Sequence, residues 1–169
     1  MDEKLTHFDQ KTGKAKMVDV GGKAPTRRTA IARGIVKVPP QVAEALALGE
    51  VSKGDAFTIA KTAAIMAAKK TGDLIPLCHP LGLDVVNVEM ELHKEKGLVT
   101  IESTASMTGK TGVEMEAMMA VSIAALTLYD MIKGMDKGSR VLVTGLYQKT
   151  GGKSGNYKNP EMEWEELLR

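Results

Sequence analysis

Cysteine and aromatic residues are scarce in this chain, and each shortage excludes something. The single cysteine, Cys78, rules out an intrachain disulfide and suits a reducing compartment. Aromatics make up 4% of the 169 residues, which leaves few faces on which bases stack. An excess of one charge is also lacking: 23 Lys+Arg against 21 Asp+Glu give a formal +2, so no nucleic-acid partner is expected. The longest uncharged, largely apolar run, Ala117 to Tyr129, falls short of the roughly 20 residues that span a bilayer. The N-terminal stretch mixes acids and bases without an apolar h-region, so no membrane association, no secretory signal and a cytoplasmic location are expected. No repeat, low-complexity tract or long charge block interrupts the chain.

What is present reads as one domain that buries about 70% of the surface its unfolded chain exposes, enough to support a core without disulfides or metal. Residues 1–12 are polar and read as a loose segment, 13–157 as the domain, and 158–169 as an acidic tail that forms a short helix carrying Trp164. Thr29 to Val38 reads as a strand stopped by Pro39-Pro40. A short helix follows from Gln41 to Leu48 with Gly49 at its end. Asp55 is placed to cap a helix over Ala56 to Lys70, whose apolar stripe is Ile59, Ala63, Ile65, Met66 and Ala67 and whose stop is Gly72.

The prolines of LIPLCHP (Leu74 to Pro80) predict an extended, irregular stretch. Val86, Val88, Met90 and Leu92 alternate with polar residues, and a turn at Lys94 to Gly97 leads into a second strand from Leu98 to Met107. Thr111 and Glu114 have capping-box spacing ahead of a long helix to about Met135, with Val113, Ala117, Val121, Ala124, Leu128 and Met131 inside. Val141 to Tyr147 is the final strand. The order is βαββαβ, which predicts an α+β, ferredoxin-like fold: an antiparallel sheet covered on one face by helices.

Two Gly-Lys-Thr/Ser units, Gly109-Lys110-Thr111 and Gly152-Lys153-Ser154, invite a phosphate reading. The residues five positions before each Gly are Thr104 and Tyr147, so the full P-loop spacing fails twice. Backbone amides at a helix N-terminus still bind an anion without it; a tight turn with a cap is the plain alternative. Asp130 and Lys133, three apart, read first as a surface ion pair. Their apolar neighbours Tyr129, Met131 and Ile132 suggest partial desolvation, which makes a lysine less basic and usable in proton transfer. Capping and the helix dipole offer an explanation for Glu114 and Glu116, and for Glu114 the whole of it.

Glu116 and Asp130 lie on similar faces but about 21 Å apart along the axis, so one chain does not supply both to a compact site, whereas a neighbour's helix does. Adjacent Cys78 and His79 point to opposite sides of an extended segment and form no dyad. His7, His79 and His93 show no metal-ligand spacing with the lone cysteine. Lys53 reads as solvated, and Met115, Met118 and Met119 as core filler.

KMVDVGGKAPTRRTAIARG, KGDAFTIAKTAAIMAAKKTGDLIPLCHPL, MTGKTGVEMEAMMAVSIAALTLYDMIKGMDKG and GGKSGNY together resemble the molybdenum cofactor biosynthesis protein C (MoaC) family, over nearly all of Leu5 to Tyr157. The resemblance implies a ferredoxin-like fold and a homohexamer, a trimer of dimers, with active sites at a subunit interface. It implies a small-molecule substrate, the 3′,8-cyclo-7,8-dihydro form of GTP, and the products cyclic pyranopterin monophosphate and pyrophosphate. The reaction is a rearranging lyase step without redox chemistry, for which no cofactor and no metal is expected.

The resemblance places the family's catalytic aspartate on Asp130, its partner lysine on Lys133, and a further catalytic lysine on Lys53. Substrate contacts fall on Leu77, Cys78 and His79, on Met115 and Glu116 with Glu114 just before, and on Arg28 and Lys149 near the triphosphate. Lys153 is added from charge and loop position alone. Lys61 stands where the family carries Arg, and Ile132 where many members carry Cys. Two other classes predict different behaviour. A nucleotide-binding regulatory module binds GTP without turnover, and an RNA-binding domain needs clustered sheet aromatics that this chain lacks.

Overall fold

The structure, a computed structural model, describes residues 8–9, 13–153 and 155–169. The expectation for the loose segment 1–12 falls almost wholly outside the described residues, as does Ser154. In chain order the elements are β1 (Phe8–Asp9), β2 (Lys14–Ala15), β3 (Thr26–Lys37), α1 (Pro40–Leu48), α2 (Ala56–Lys69), α3 (Thr71–Leu74) and β4 (Val85–His93). There follow β5 (Leu98–Gly109), α4 (Glu114–Ile132), β6 (Arg140–Thr150), β7 (Tyr157–Lys158) and α5 (Trp164–Leu167). The main sheet is antiparallel in the order β4-β5-β3-β6-β7. Its first four strands carry the ferredoxin-like βαββαβ connection, with the first strand central. β1 and β2 pair separately.

Local chemistry explains the helix ends. Pro40 sits in the first turn of α1, where a missing N–H costs nothing. Gly49 ends that helix at φ 71°, a left-handed cap that an L side chain resists. The Asp55 carboxylate accepts hydrogen bonds from the Thr58 amide at 3.0 Å and the Thr58 hydroxyl at 2.6 Å, capping α2 as expected.

Three expectations need correction. Gly72 does not stop α2: Lys70 does, and Gly72 lies inside α3, where a Cβ would come within 2.9 Å of the Pro80 backbone. The capping box is absent, because Val113 occupies the cap position and Glu114 already belongs to α4. The buried stripe of α2 is Ala56, Ala60, Ala64, Ala67 and Ala68, while Ile59 and Met66 stand 42% and 57% exposed. α2 packs along α4, which buries Ala117, Ala120 and Ala124. Small side chains let two helices approach closely, so the alanines take the inner face and the larger residues are left outside.

The core lies between these helices and the sheet, with Val121 and Leu128 of α4 against Ala30, Ala32 and Val36 of β3 and Ile101 and Ala105 of β5. Residues expected inside the long helix (Val113, Ala117, Val121, Ala124, Leu128, Met131) are all buried. A Cβ on Gly34 would lie 2.6 Å from Val121 Cγ1, so this glycine permits the close seating of α4 on the central strand. α4 is long and apolar enough by composition to cross a membrane, but it is the packed core helix, and its length has that explanation. It ends at Ile132, three residues before the expected Met135.

The tail forms the expected short helix with Trp164, and it lies on the sheet. Arg33 of β3, 8% exposed, donates to the Met162 carbonyl at 2.9 Å and to Glu102 at 2.7 Å.

Candidate active site

The two Gly-Lys units meet. β3 and β6 pair antiparallel with Ala30 opposite Lys149 and Thr29 opposite Thr150, which brings Arg28 beside Gly151 and Gly152. The β5–α4 connection closes the other side, and Arg28 Nε donates to the Gly109 carbonyl at 3.4 Å. Between them is a cavity of about 750 Å³ whose wall carries Lys23, Arg28, Lys110, Lys149 and Lys153 around the N-terminus of α4. Five cations, with the positive end of a helix, make an anion site.

One carboxylate interrupts this positive wall: Glu114 accepts from Lys149 Nζ at 2.8 Å, both side chains about a quarter exposed. Capping therefore does not account for Glu114, which holds Lys149 in place. Lys23 was not singled out from the sequence, although Gly22-Lys23 repeats the Gly-Lys signal of the other two units. Lys110 Nζ donates to the Gly21 carbonyl at 2.6 Å and ties this third unit to Gly109-Lys110-Thr111.

The Leu77-Cys78-His79 stretch is half-buried near the same end of α4, because α3 packs on that helix. His79 Nε2 lies 2.9 Å from the Val18 carbonyl, fixing the segment that leads to Lys23. Glu116, 3% exposed, has its carboxyl pushed up by burial. Burial and the nearby Glu116 charge push the Cys78 thiol up as well, which makes it a poor nucleophile at neutral pH. Met115 is 37% exposed and so is not core filler.

The other end of α4 holds a second cluster. Lys53, in the turn before α2, donates to the Asp130 carboxylate at 2.8 Å and to its carbonyl at 2.7 Å. Lys133 donates to the other carboxylate oxygen at 2.6 Å. All three side chains are about half exposed, which corrects the expectation of desolvation by apolar neighbours. Hydrogen bonds from Lys133, then Lys53, hold the Asp130 carboxyl down at about 2. Asp130 in turn raises Lys133, the reverse of the loss of basicity expected of it. The Asp130 carboxylate and the Lys133 ammonium are therefore charged at neutral pH, and Lys53 Nζ shares the same carboxylate.

These two clusters do not meet within the chain. Glu114 and Asp130 are about 24 Å apart along α4 at 1.5 Å per residue. Among the described residues, no group of three His, Cys, Asp or Glu side chains is placed to hold a metal ion.

Such a chain is an α+β domain of ferredoxin-like topology, with a cation-lined cavity at one end of its core helix and a lysine–aspartate ion-pair cluster at the other. Residues 17–152 match the MoaC family profile, and the chain belongs to that family. A cyclic pyranopterin monophosphate synthase of Novosphingobium aromaticivorans is 54% identical over 157 residues, covering 93% of this chain and 98% of the relative. That of Heliobacterium modesticaldum is also 54% identical, with the same coverage. That of Parvibaculum lavamentivorans is 50% identical over 156 residues, 92% of this chain and 97% of the relative.

Proposed function

We propose that this chain acts as a cyclic pyranopterin monophosphate synthase in molybdenum cofactor biosynthesis. It is a lyase that converts (8S)-3′,8-cyclo-7,8-dihydroguanosine 5′-triphosphate to cyclic pyranopterin monophosphate and pyrophosphate. The observation that carries this reading, beyond the family, is the pairing of a five-cation cavity with a Lys53–Asp130–Lys133 cluster.

Closing the cyclic phosphate expels pyrophosphate, and Arg28, Lys149 and the α4 amides oppose the charge that develops on the leaving group. Lys23, Lys110 and Lys153 extend the same field. Opening and reclosing the purine-derived ring requires proton transfers at nitrogen and carbon. Lys53 and Lys133 supply protons, and Asp130 aims both amines and raises Lys133. A carboxyl near 2 is too weak a base at neutral pH to begin the reaction alone. Proton removal therefore falls to a lysine that has already donated. The family resemblance gives Leu77, Cys78, His79, Met115 and Glu116 to the ring system of the substrate, and Glu114 sets Lys149.

The domain spans 13–157 and works as a cytoplasmic homohexamer, a trimer of dimers. In it the cavity of one chain faces the Lys–Asp–Lys cluster of a neighbour. The 24 Å between the two clusters along α4 supports this, as do the exposed apolar residues Ile59 and Met66 on α2 and Leu126 on α4. A nucleotide-binding module without turnover is not favoured, since it gives the second cluster no task.

The test is to incubate the protein with the cyclic dihydro-GTP substrate and follow pyrophosphate release together with the oxidised fluorescent pterin. Wild type forms both, and Asp130→Ala folds and assembles but forms neither. Product from Asp130→Ala at near wild-type rate removes Asp130 from the mechanism. No product from folded wild type overturns the assignment.

A further inference from the structure

We propose that Arg33 is a positioning residue for the anion cavity, acting through a C-terminal strap (Tyr157 to Leu168) that it clamps to the back of the sheet. The proposal rests on the reading of the cavity as the triphosphate site. Arg33 lies five residues along β3 from Arg28, about 17 Å away at strand spacing, and it does not line the cavity. Whatever it does there must travel through the strap.

The clamp is built from one buried guanidinium. Gly34 faces α4, so Arg33 points to the opposite, helix-free face of the central strand. It lies 3.5 Å from the ring centroid of Tyr147 and 4.4 Å from that of Trp164. Its Nε pairs with Glu102 at 2.7 Å, and its Nη1 reaches the Met162 carbonyl at 2.9 Å and the Glu163 carboxylate at 3.5 Å. Met162, Glu163 and Trp164 all belong to the strap. An arginine so desolvated depends on its partners, so the strap is held by more than its own short helix.

Further contacts fasten the strap along its length. Met162 sits under Gly145, where a Cβ would come within 3.0 Å of its sulfur. The Tyr147 hydroxyl donates to Glu163 at 2.9 Å, Lys158 also pairs with Glu163, and the Asn159 amide donates to the Tyr147 carbonyl at 2.8 Å. At the far end Lys96 donates to the Leu168 carbonyl at 2.8 Å.

The strap begins with β7, which pairs Tyr157 with Lys149 and Lys158 with Gln148. Two residues of strand are too few to hold a pairing by themselves. Lys149 is the cavity lysine held by Glu114, and Thr150 to Lys153 form the adjoining wall. There Gly152, at φ 80°, lies so close to the Arg28 guanidinium that a Cβ would overlap it. The clamp fixes the strap, the strap fixes β7, and β7 fixes where Lys149 and the glycine wall stand.

The test uses the full chain with Trp164→Ala, which removes one face of the guanidinium sandwich, and Trp164→Phe, which keeps it. Inorganic tripolyphosphate binding is measured by calorimetry, steady-state kinetics give KM and kcat, and hydrogen exchange reports the amides of 149–153. Trp164→Ala is expected to raise the tripolyphosphate Kd and the substrate KM about fivefold to tenfold, the scale of one lost cation–π contact and the order it imposes. Its kcat stays within about twofold, exchange at 149–153 quickens, and Trp164→Phe restores all three. Glu163→Gln, which leaves both aromatic side chains in place and removes the strap's carboxylate from Arg33, Lys158 and the Tyr147 hydroxyl, is expected to act in the same direction.

Faster exchange confined to 160–168, with Kd and the 149–153 amides unchanged in both loosening variants, overturns the proposal. Wild type that does not bind tripolyphosphate overturns the reading of the cavity and the proposal with it.

Discussion

Among the described residues, Glu114 is the one carboxylate on a wall of five cations, and its removal reads out the field of the cavity. Glu114→Gln keeps the shape of the side chain, frees Lys149 from its 2.8 Å ion pair and deletes a negative charge facing the bound anion. A sphere of the cavity's volume, about 750 Å³, has a radius of about 6 Å, over which unit charges at an effective dielectric near 20 interact by about 2.8 kcal/mol. Screening with a Debye length of about 8 Å reduces this to about 1.3 kcal/mol, close to tenfold in Kd.

The assay is pyrophosphate binding to Glu114→Gln and Lys149→Ala at physiological ionic strength and again at 1 M salt. Glu114→Gln is expected to tighten binding toward tenfold and Lys149→Ala to weaken it by a similar factor. Both effects shrink at high salt, where the Debye length falls to about 3 Å. Tightened pyrophosphate binding with reduced turnover means that Glu114 also serves the substrate elsewhere. Glu114→Gln that binds more weakly, or two variants that leave Kd unchanged, refute the electrostatic account of the cavity.

The Asp130 carboxyl lies at about 2 against an ordinary 3.8, so its ion pairs are complete above the ordinary value and are lost as pH falls through about 2. Carboxyl-carbon NMR is expected to give that midpoint and to find it raised in Lys133→Ala; an unmoved midpoint refutes Lys133 as its main cause. If a site takes its cavity from one chain and its cluster from another, co-assembled chains, one carrying Asp130→Ala and the other Arg28→Ala with Lys149→Ala, each expected to be inactive alone, recover about a quarter of wild-type activity by random pairing. No recovery from a mixed assembly refutes the shared site.

The parts of the fold legible in the sequence are those set by local chemistry. Asp55 before an alanine-rich run, Gly49 after a helix and the alternation from Val86 to Leu92 each carry their cause within a few residues. The buried face of α2 was not legible, since alanines and larger apolar residues score alike until a second alanine-rich helix is known to lie against them. The capping box failed because the helix starts two residues later than Thr111 implies, with Val113 at the cap, and Glu114 instead pairs with Lys149, 35 residues away. Arg28, Lys149 and Gly152 meet only through the β3–β6 register, which no local pattern encodes. Asp130 and Lys133 were legible as a pair at helical spacing, whereas Lys53 joins them through a contact 77 residues long in sequence and had only the family resemblance to mark it. Arg33 gave no signal, as its partners lie in the tail.

Charge at the two ends of α4 constrains how a shared site works. The cavity carries five cations against one carboxylate, a net of four positive charges, and the Lys53–Asp130–Lys133 cluster carries a net of one. Two chains that bring these ends together bring like charge to like charge, which opposes assembly through the site itself. Cohesion must then come from surfaces away from it, and the outer faces of α2 and α4, with Ile59, Met66 and Leu126 exposed, are apolar where that contact is needed. A triphosphate entering between the two ends supplies the missing negative charge. In a site shared that way, a triphosphate of about four negative charges brings a net of about five positive down to about one, and the positive field that remains opposes the charge developing on the leaving pyrophosphate.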